Sequence, residues 1–513
     1  MFSDHKYGLK AMSIEAAWLV ALEFLLLLTV GCGGSAKPST GTPAGNGDPG
    51  IPIVFSLPPS PTTPLQVRVG DDPSEQILSC NLNITSITLK SSTDPSVAAD
   101  LLFSPSTIEF TRLAQTLEPI GLVDTPQGTY DQVEIKIAGA TVAYLDAAGR
   151  SRRQTVSASL TTVATPKRPV VIGDIPTILD IDVNLSKTVQ LAPVSNKITL
   201  TGPVVTVSQN NIAGPGGLPS SVRRARGYTQ ITPSSGQLSS QNGGVERLVG
   251  IASETQADEF TLTTGTAQLP LQVHFDGNSV FENGSPTNLD GMLVEVEGWT
   301  QPDGSIYGNE VEGISPNTGA EVEGFLVGGI GSLSVVPQDA IGNGARTSLI
   351  GTEVNTILNS GVTYAVNSGD EDLVGLPVIF DEKHIFPGQR VELESYTGLV
   401  RVANQMRIQP YQVELLHQTV NGTVSNYTIG STWMPEFDLT LSSNSYLDIL
   451  NRGTGTVHVY QRSTTDLSLL TSDIQDGSPL TIRGFLFCVD SNDSSNGTPR
   501  HFELVASSVT DLR

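Results

Sequence analysis

Histidines and paired carboxylates are the residues of this chain that could perform acid–base or metal chemistry. Five histidines follow the first fifty residues, namely His274, His384, His417, His458 and His501. They are scattered, and none belongs to an HExxH or HxxE motif, so no histidine-based catalytic or metal centre is predicted. Glu295 and Glu297 alternate with Val294 and Val296, which places both carboxylates on one strand face. We expect that face to be a solvated outer face and not an acid–base pair.

Other motifs that carry chemistry are absent or incomplete. No GxSxG nucleophile elbow occurs, and no GxGxxG joins a strand to a helix. Asp490, Asn492 and Ser494 alternate as calcium ligands do, but Ser495 and His501 replace the glycine and the glutamate that a calcium loop requires. A hairpin loop is therefore expected there, with calcium binding as the alternative. The sequence predicts a protein that is not an enzyme and has no catalytic residue, cofactor or metal.

Aromatic side chains could form a different kind of site. Small β-barrels often bind sugars or single strands by stacking them on aromatic rings of one face. Aromatic residues make up only 6% of this chain, and most aromatic residues of small barrels belong to the core. A sugar- or peptide-stacking face is therefore the alternative to a core role. Its candidate residues are Trp299, Tyr307, Tyr396, Tyr411, Trp433 and Tyr446.

Cys32 follows an apolar run, residues 16–31, that is too short to span a bilayer comfortably. Lys6 and Lys10 precede this run, as positive residues precede the apolar part of a secretory signal. The segment Leu28-Thr29-Val30-Gly31-Cys32 resembles the lipobox of bacterial lipoproteins. The resemblance implies cleavage of a signal peptide, residues 1–31, and lipidation of Cys32. An ordinary cleaved signal and an uncleaved anchor are the alternatives.

Residues 32–50 are rich in glycine, serine, threonine and proline, and lack the apolar residues needed for a core. They predict a flexible tether that holds folded domains away from a membrane. Gly33 follows the cysteine, with no aspartate there to signal retention in the inner membrane. The lipoprotein resemblance therefore implies an anchor in the outer membrane, with the protein facing either the periplasm or the cell surface.

The composition of the 513 residues favours many short strands. Hydrophobic residues make up 38% and charged residues 16%, and 51 glycines and 32 prolines supply turns. The net charge is −24, with 34 acidic and 11 basic residues after position 243, so nucleic acid is not an expected partner. Cys80 and Cys488 are expected to be separate buried thiols, with a disulfide between them as the alternative.

Residues 51–209 are predicted to form one β-rich domain, because several segments alternate apolar and polar residues. The segment resembles an uncharacterised N-terminal domain of many bacterial lipoproteins. The resemblance rests on three motifs: an ITSITL strand, Pro126-Gln127-Gly128-Thr129-Tyr130, and Leu179-Asp180-Ile181-Asp182-Val183 followed by Ser186. It implies a β-sandwich without known activity. Residues 210–243 follow as a linker whose only charge cluster is Arg223, Arg224 and Arg226.

Residues 244–316, 317–417 and 418–513 form three weak repeats. Each begins with an apolar-x-Gly strand and later contains a glycine followed by an alternating strand. The units resemble a second uncharacterised lipoprotein domain, a small OB-like barrel in which a glycine closes the alternating strand. Gly298 and Gly484 occupy this closing position, and Ser395 replaces it in the middle unit. The fold predicted is all-β, with an N-terminal β-sandwich followed by about three OB-like barrels.

The function expected from these features is that of a lipid-anchored protein of the bacterial cell envelope. Its β-domains would act as a non-catalytic binding or scaffolding array. The alternative is a surface adhesin or a carbohydrate-binding lipoprotein. The expected partners are a membrane, through the N-terminal anchor, and a glycan or an envelope protein.

Overall fold

The computed structural model describes residues 61–512 with gaps. The gaps are residues 73–75, 95–96, 103, 115, 175, 193–196, 211–243, 266–267, 302–303, 315–318, 330–331, 367–372, 430–433, 443, 452, 454, 468–469 and 491–499. The predicted signal peptide, Cys32, the tether and the linker after residue 210 lie outside the described residues. The described part is almost entirely β-structure, as predicted.

The described residues of the N-terminal β-sandwich form thirteen strands. One sheet has the order β13-β10-β1-β5; the other has the order β3-β2-β7-β8, with β4 also pairing with β2. Two short ribbons, β11-β12 and β6-β9, complete the domain. The strands are β1 (Thr62–Asp72), β2 (Ile77–Lys90), β3 (Ala98–Asp100), β4 (Ser106–Glu109), β5 (Glu118–Pro126), β6 (Gly128–Tyr130), β7 (Gln132–Leu145), β8 (Ser151–Ala164), β9 (Val170–Ile172), β10 (Thr177–Asn184), β11 (Val189–Ala192), β12 (Lys197–Leu200) and β13 (Val205–Asn210).

The central strand β1 is buried on both faces. Leu65, Val67 and Val69 point into the sandwich core because side chains alternate along a strand. On the other face, Arg68 is fully buried and forms a bidentate ion pair with Asp180 of the parallel strand β10, at 2.7 and 2.9 Å. The first aspartate of the predicted LDIDV motif therefore neutralises a buried arginine.

The other predicted motifs of the sandwich also have structural roles. Tyr130 is fully buried, and its hydroxyl donates a hydrogen bond to the carbonyl oxygen of Pro126 at 2.7 Å. Asn184 precedes a one-turn helix, α1 (Leu185–Thr188), and its side chain accepts a hydrogen bond from the backbone N–H of Lys187 at 2.9 Å. A 3₁₀ turn, Thr111–Leu113, follows β4.

The first repeat closes into a five-stranded barrel, called barrel 1. Strands β14, β15 and β16 are antiparallel neighbours, β16 pairs in parallel with β19, and β18 joins β19 to β14. This order is that of an OB-like barrel. A short strand, β17, pairs in parallel with residues 310–312 of β19, beyond the residues of β19 that pair with β16. The strands are β14 (Gly244–Ser253), β15 (Glu259–Thr264), β16 (Pro270–His274), β17 (Val280–Glu282), β18 (Leu293–Thr300) and β19 (Ile306–Ile314).

The second repeat, barrel 2, has the same order with a divided last strand. Its third strand β22 pairs in parallel with β26, whereas its fourth strand β24 pairs with β27, and Pro410 lies between the two halves. Proline cannot donate a ladder hydrogen bond, which accounts for the break. The strands are β20 (Ala320–Gly329), β21 (Ser332–Gly342), β22 (Val354–Thr356), β23 (Thr363–Val366), β24 (Arg390–Ser395), β25 (Val400–Val402), β26 (Gln405–Ile408) and β27 (Gln412–Leu415), with a 3₁₀ turn at Thr347–Leu349.

The third repeat, barrel 3, is a closed barrel with the order β28-β29-β30-β32-β31. Its third and fifth strands, β30 and β32, are again parallel. A short helix, α2, lies between the second and third strands. The elements are β28 (His417–Ile429), β29 (Pro435–Thr440), α2 (Tyr446–Leu450), β30 (Thr456–Asp466), β31 (Pro479–Cys488) and β32 (Phe502–Asp511).

The closing glycines of the repeat pattern lie at β-bulges. The strand register shifts at Gly298 of barrel 1 and at Gly484 of barrel 3. A Cβ atom at either position would collide with the carbonyl oxygen of the partner strand, from Tyr307 and Val505 respectively. Only glycine fits this backbone approach, which explains the residue type that the repeat pattern requires.

Candidate functional site

The outer face of barrel 1 carries a row of glutamates. On β18 and β19, Val294, Val296 and Val311 are fully buried in the barrel core, so the alternate residues point outward. The strand register places these outward carboxylates opposite one another. The cross-strand pairs are Glu295 with Glu312, Glu297 with Glu310, and Glu282 with Glu312.

The outer face of barrel 2 carries a second row. On β20 and β24, Val322, Val391 and Leu393 fill the core, and glutamates alternate with them. Like charges directly opposite each other destabilise a sheet unless something compensates them. The cross-strand pairs are Glu321 with Glu394, Glu323 with Glu392, Glu392 with Glu414, and Glu323 with Asp339.

The two rows face each other. Glu312 of barrel 1 interacts electrostatically with Glu392 and Glu394 of barrel 2, and Glu414 of barrel 2 interacts with Glu310 and Glu312. We call this contact the acidic interface. It consists of Glu282, Glu295, Glu297, Glu310 and Glu312 of barrel 1 and Glu321, Glu323, Asp339, Glu392, Glu394 and Glu414 of barrel 2.

The prediction of a solvated outer face at Glu295 and Glu297 is therefore wrong in one respect. Both lie on the outer face, but barrel 2 covers it, and the Glu295 side chain is only 12% exposed. Strand alternation determines which side a residue faces but not what packs against that side.

Arg247 of barrel 1 reaches into the acidic interface from β14. It lies in a β-bulge between Val245 and Leu248 and has a φ of 49°, a left-handed conformation that non-glycine residues seldom adopt. Its side chain is 7% exposed. The guanidinium contacts five carboxylates: Glu323 at 3.2 Å, Glu295 and Asp339 at 3.4 Å, Glu321 at 3.6 Å, and Glu392.

Burial and mutual repulsion change the acidity of these carboxyl groups. Burial, followed by the charge of Glu392, raises the pKa of Glu312 to about 7, of Glu321 to about 8 and of Glu414 to about 7. Burial also raises the pKa of Glu295 well above its ordinary value, although Arg247 opposes the shift. Several carboxyl groups of this interface therefore titrate near neutral pH.

A second buried arginine, Arg390, joins barrel 2 to its other neighbours. Its guanidinium donates to Gln338 at 2.9 Å and to the carbonyl oxygen of His417 in barrel 3 at 2.6 Å, and it pairs with Glu323. Gln338 in turn donates to Thr111 of the sandwich at 2.7 Å. These contacts lie beside a cavity of about 30 Å³ at the junction of the sandwich, barrel 2 and barrel 3.

The candidate stacking aromatics divide between core and surface. Trp299, Tyr307 and Tyr446 are buried, and Trp433 lies outside the described residues. Tyr396 is 72% exposed, and its ring stacks on that of Tyr411 with centroids 3.7 Å apart and an interplanar angle of 5°. The Tyr411 hydroxyl donates to Glu394, so this aromatic pair borders the acidic interface.

The five histidines do not come together into one site. Four of them each lie beside a carboxylate, and His417 stacks on Phe485 with centroids 4.0 Å apart. Among the residues that the structure describes, no group of three or more histidine, cysteine or acidic side chains is arranged to hold a metal ion. The four carboxylate pairs are His274 with Glu259, His384 with Asp381, His458 with Asp438, and His501 with Asp490.

The two described cysteines are free and buried, as predicted. Burial raises the pKa of the Cys488 thiol to about 12 and that of Cys80 well above its ordinary value. Asp490 is described, but Asn492 and Ser494 lie outside the described residues, so the calcium-loop alternative stays a prediction.

Sequence reasoning missed the acidic interface as a site. The available signal was the recurrence of Val-Glu steps on successive outer strands, at Val294-Glu295, Val311-Glu312, Val322-Glu323, Val391-Glu392 and Val413-Glu414. No sequence pattern indicated a role for Arg247, because its side chain points out of the barrel only as a result of the β-bulge in β14.

Comparisons with known proteins leave the lipoprotein resemblance as a prediction. Within the described part of the chain, no helix has the length and apolar composition that crossing a membrane requires. A scan against protein-family models finds no match, and neither does a search of the curated proteins.

Proposed function

We propose that this protein is a lipid-anchored, non-catalytic scaffold of the bacterial cell envelope, in which a β-sandwich and three barrels form a connected array. The observation that carries the proposal is the buried network around Arg390, which connects barrel 2 to Gln338, Thr111 and the backbone of barrel 3. Independent binding modules on flexible linkers would not share such a network, because a buried arginine that lost its partners in a neighbouring unit would be strongly destabilised.

The apolar cores support the same proposal. Phe325 and Val336 of barrel 2 belong to the hydrophobic cluster that fills barrel 3. Leu78 and Leu145 of the sandwich belong to it as well. Burial of apolar surface between units fixes their relative positions, which is the property that a scaffold needs.

The anchor at Cys32 is tested by changing it to alanine. Membrane fractionation of cells that produce the wild type is expected to place the protein with the outer membrane, and the Cys32→Ala variant is expected to leave that fraction. Cys488→Ala, which changes a buried thiol in barrel 3, is the matched control and should fractionate as the wild type does. Equal membrane association of Cys32→Ala and wild type would contradict the anchor.

Protease treatment of intact cells then separates the two orientations. Digestion of the barrels on intact cells places the array at the cell surface. Digestion only after the outer membrane has been opened places it in the periplasm, where the scaffold would face other envelope proteins.

A carbohydrate-binding function is the second candidate, and the Tyr396–Tyr411 pair favours it. The exposed outer ring offers a flat apolar surface of the kind on which a sugar ring can stack. Binding to a glycan array is the test. Tyr396→Ala should reduce the signal tenfold or more, whereas Val374→Ala, which shortens another highly exposed side chain of barrel 2, should leave it unchanged. Equal glycan binding by Tyr396→Ala and wild type would eliminate this candidate.

A further inference from the structure

The contact between barrel 1 and barrel 2 differs in kind from the contact between barrel 2 and barrel 3. The hydrophobic cluster of barrel 1, as the described residues form it, contains side chains of that barrel alone. Barrel 2 and barrel 3, by contrast, contribute to each other's clusters, with Phe325 in one direction and Phe485 in the other. The contact between barrels 1 and 2 therefore depends on the charge state of polar groups more than on apolar burial.

The polar groups at this contact are overwhelmingly acidic. Arg247 is the cation that barrel 1 contributes, and Arg390, which pairs with Glu323, is the one beside it on barrel 2. The titratable and charged groups that face one another are Arg247 on β14, Glu282 on β17, Glu295 and Glu297 on β18, Glu310 and Glu312 on β19, Glu321 and Glu323 on β20, Asp339 on β21, Arg390, Glu392 and Glu394 on β24, Tyr411 directly before β27, and Glu414 on β27.

Two guanidinium groups cannot neutralise eleven carboxylates, of which all but Glu282 are buried or half-buried. Buried like charges repel strongly because the low local dielectric weakens screening. The buried oxygen atoms Glu295 Oε2 and Glu321 Oε2 accept no hydrogen bond and lie 3.4 and 3.6 Å from the Arg247 guanidinium, so the ionised carboxylates have to share one cation. Protons shared among the carboxyl groups would remove both costs.

We propose that the acidic interface is a proton-operated joint, which holds barrel 1 against barrel 2 while its carboxyl groups share protons and loosens when they ionise. The remainder of the array, joined through Arg390 and the shared apolar cores, stays in place when this joint opens.

The direction of the pH dependence follows from the acidity of the carboxyl groups. In the closed joint Glu312, Glu321 and Glu414 have pKa values of about 7, 8 and 7, whereas solvated glutamates have pKa values of about 4.3. The closed form therefore binds more protons than the open form. Its stabilisation is complete below the solvated value and is lost as the pH rises through about 7 to 8.

A contact of barrel 1 with the sandwich, within the described residues, does not share this dependence. On the side of the sandwich, the Gln66 side chain donates a hydrogen bond to the carbonyl oxygen of Gly304 at 2.7 Å, and neither group titrates. This contact does not weaken as the carboxyl groups ionise, so we expect barrel 1 to rotate away from barrel 2 about its sandwich side.

Small-angle X-ray scattering of the purified full-length chain tests the proposal. The radius of gyration of the wild type is expected to increase between about pH 5 and about pH 9. The triple variant Glu312→Gln, Glu321→Gln and Glu414→Gln, whose side chains keep their shape but cannot ionise, should keep the dimensions of the acidic form throughout. The matched control Glu254→Gln, Glu353→Gln and Glu382→Gln removes the same charge from exposed positions and should expand as the wild type does.

A single substitution tests the same proposal in case the triple variant does not fold. Glu321→Gln removes a single ionising group and should raise the pH at which half of the expansion has occurred. Constant dimensions of the wild type over this pH range, or equal expansion of the triple variant and wild type, would overturn the proposal. An unchanged midpoint in Glu321→Gln would also count against it.

Discussion

Arg247 and Glu392 form an ion pair between two barrels although 145 residues separate them in the chain. A β-bulge with a left-handed backbone turns Arg247 out of its own barrel, and the carboxylates of both barrels surround it. Non-glycine residues in this conformation persist where the surrounding structure holds them. Here the restraint is the set of five carboxylates.

Replacement of Arg247 is expected to cost more stability at neutral pH than in acid. Arg247→Met should lower the free energy of unfolding by about 3–5 kcal/mol near pH 7, at the lower end of the range in which the joint opens, because buried carboxylates lose their cation. The loss should be smaller near pH 5, below the raised pKa values of Glu312 and Glu321, where neutral carboxyl groups no longer need it. Urea unfolding followed by tryptophan fluorescence at both pH values is the measurement. Arg346→Met, at an exposed position, is the control, and an equal loss at both pH values would contradict the prediction.

The ion pair between Arg68 and Asp180 is expected to be essential to the sandwich. Arg68→Met leaves the Asp180 carboxylate, whose side chain is 11% exposed, without its partner and should destabilise the protein by about 3–5 kcal/mol. Asp180→Leu should cost a similar amount because it leaves the buried arginine unpaired. The double variant should lose less than the sum of the two single losses, and chemical unfolding of all three measures the coupling. Strict additivity would show that the two side chains act independently.

The sequence pattern predicted the strands and their inward faces well. Val294 and Val296 are buried as the alternation required. The contacts of Asp180 and Tyr130 explain why two sequence motifs of the sandwich contain these residue types. These features are local, or depend on a neighbouring strand, so a repeating pattern of apolar residues is enough to predict them.

The acidic interface could not be predicted in the same way. The alternation of residues places Glu295 on the outer face of barrel 1 whether or not another barrel covers that face. Only the packing of barrel 2 on barrel 1 determines whether this carboxylate faces water or Glu392. The bulge at Arg247 and the stacking of Tyr396 on Tyr411 likewise depend on backbone geometry and on contacts between distant segments. Such contacts have no periodic signal in the chain.

The closing glycines of the barrels are expected to tolerate no larger side chain. Gly298→Ala and Gly484→Ala should each destabilise the protein by about 1–3 kcal/mol or more, since the added methyl group meets a backbone carbonyl that cannot move without breaking the ladder. Thermal unfolding is the measurement. Gly277→Ala is the matched control, because a Cβ atom at Gly277 meets nothing within 4 Å. If all three variants unfolded at the same temperature, the bulges would not explain the glycines of the repeat.

Thiol reactivity is expected to distinguish an acylated Cys32 from a free one. Cys80 and Cys488 are buried, and burial raises the pKa of both thiols, so neither should react with a disulfide reagent in the native protein near pH 8. After unfolding, both should react, and the count should be two if Cys32 carries a thioether-linked lipid. The Cys32→Ala variant should give the same two thiols. A third thiol in the unfolded wild type, reactive also in the native state, would show that Cys32 is unmodified and would remove the chemical basis for the anchor.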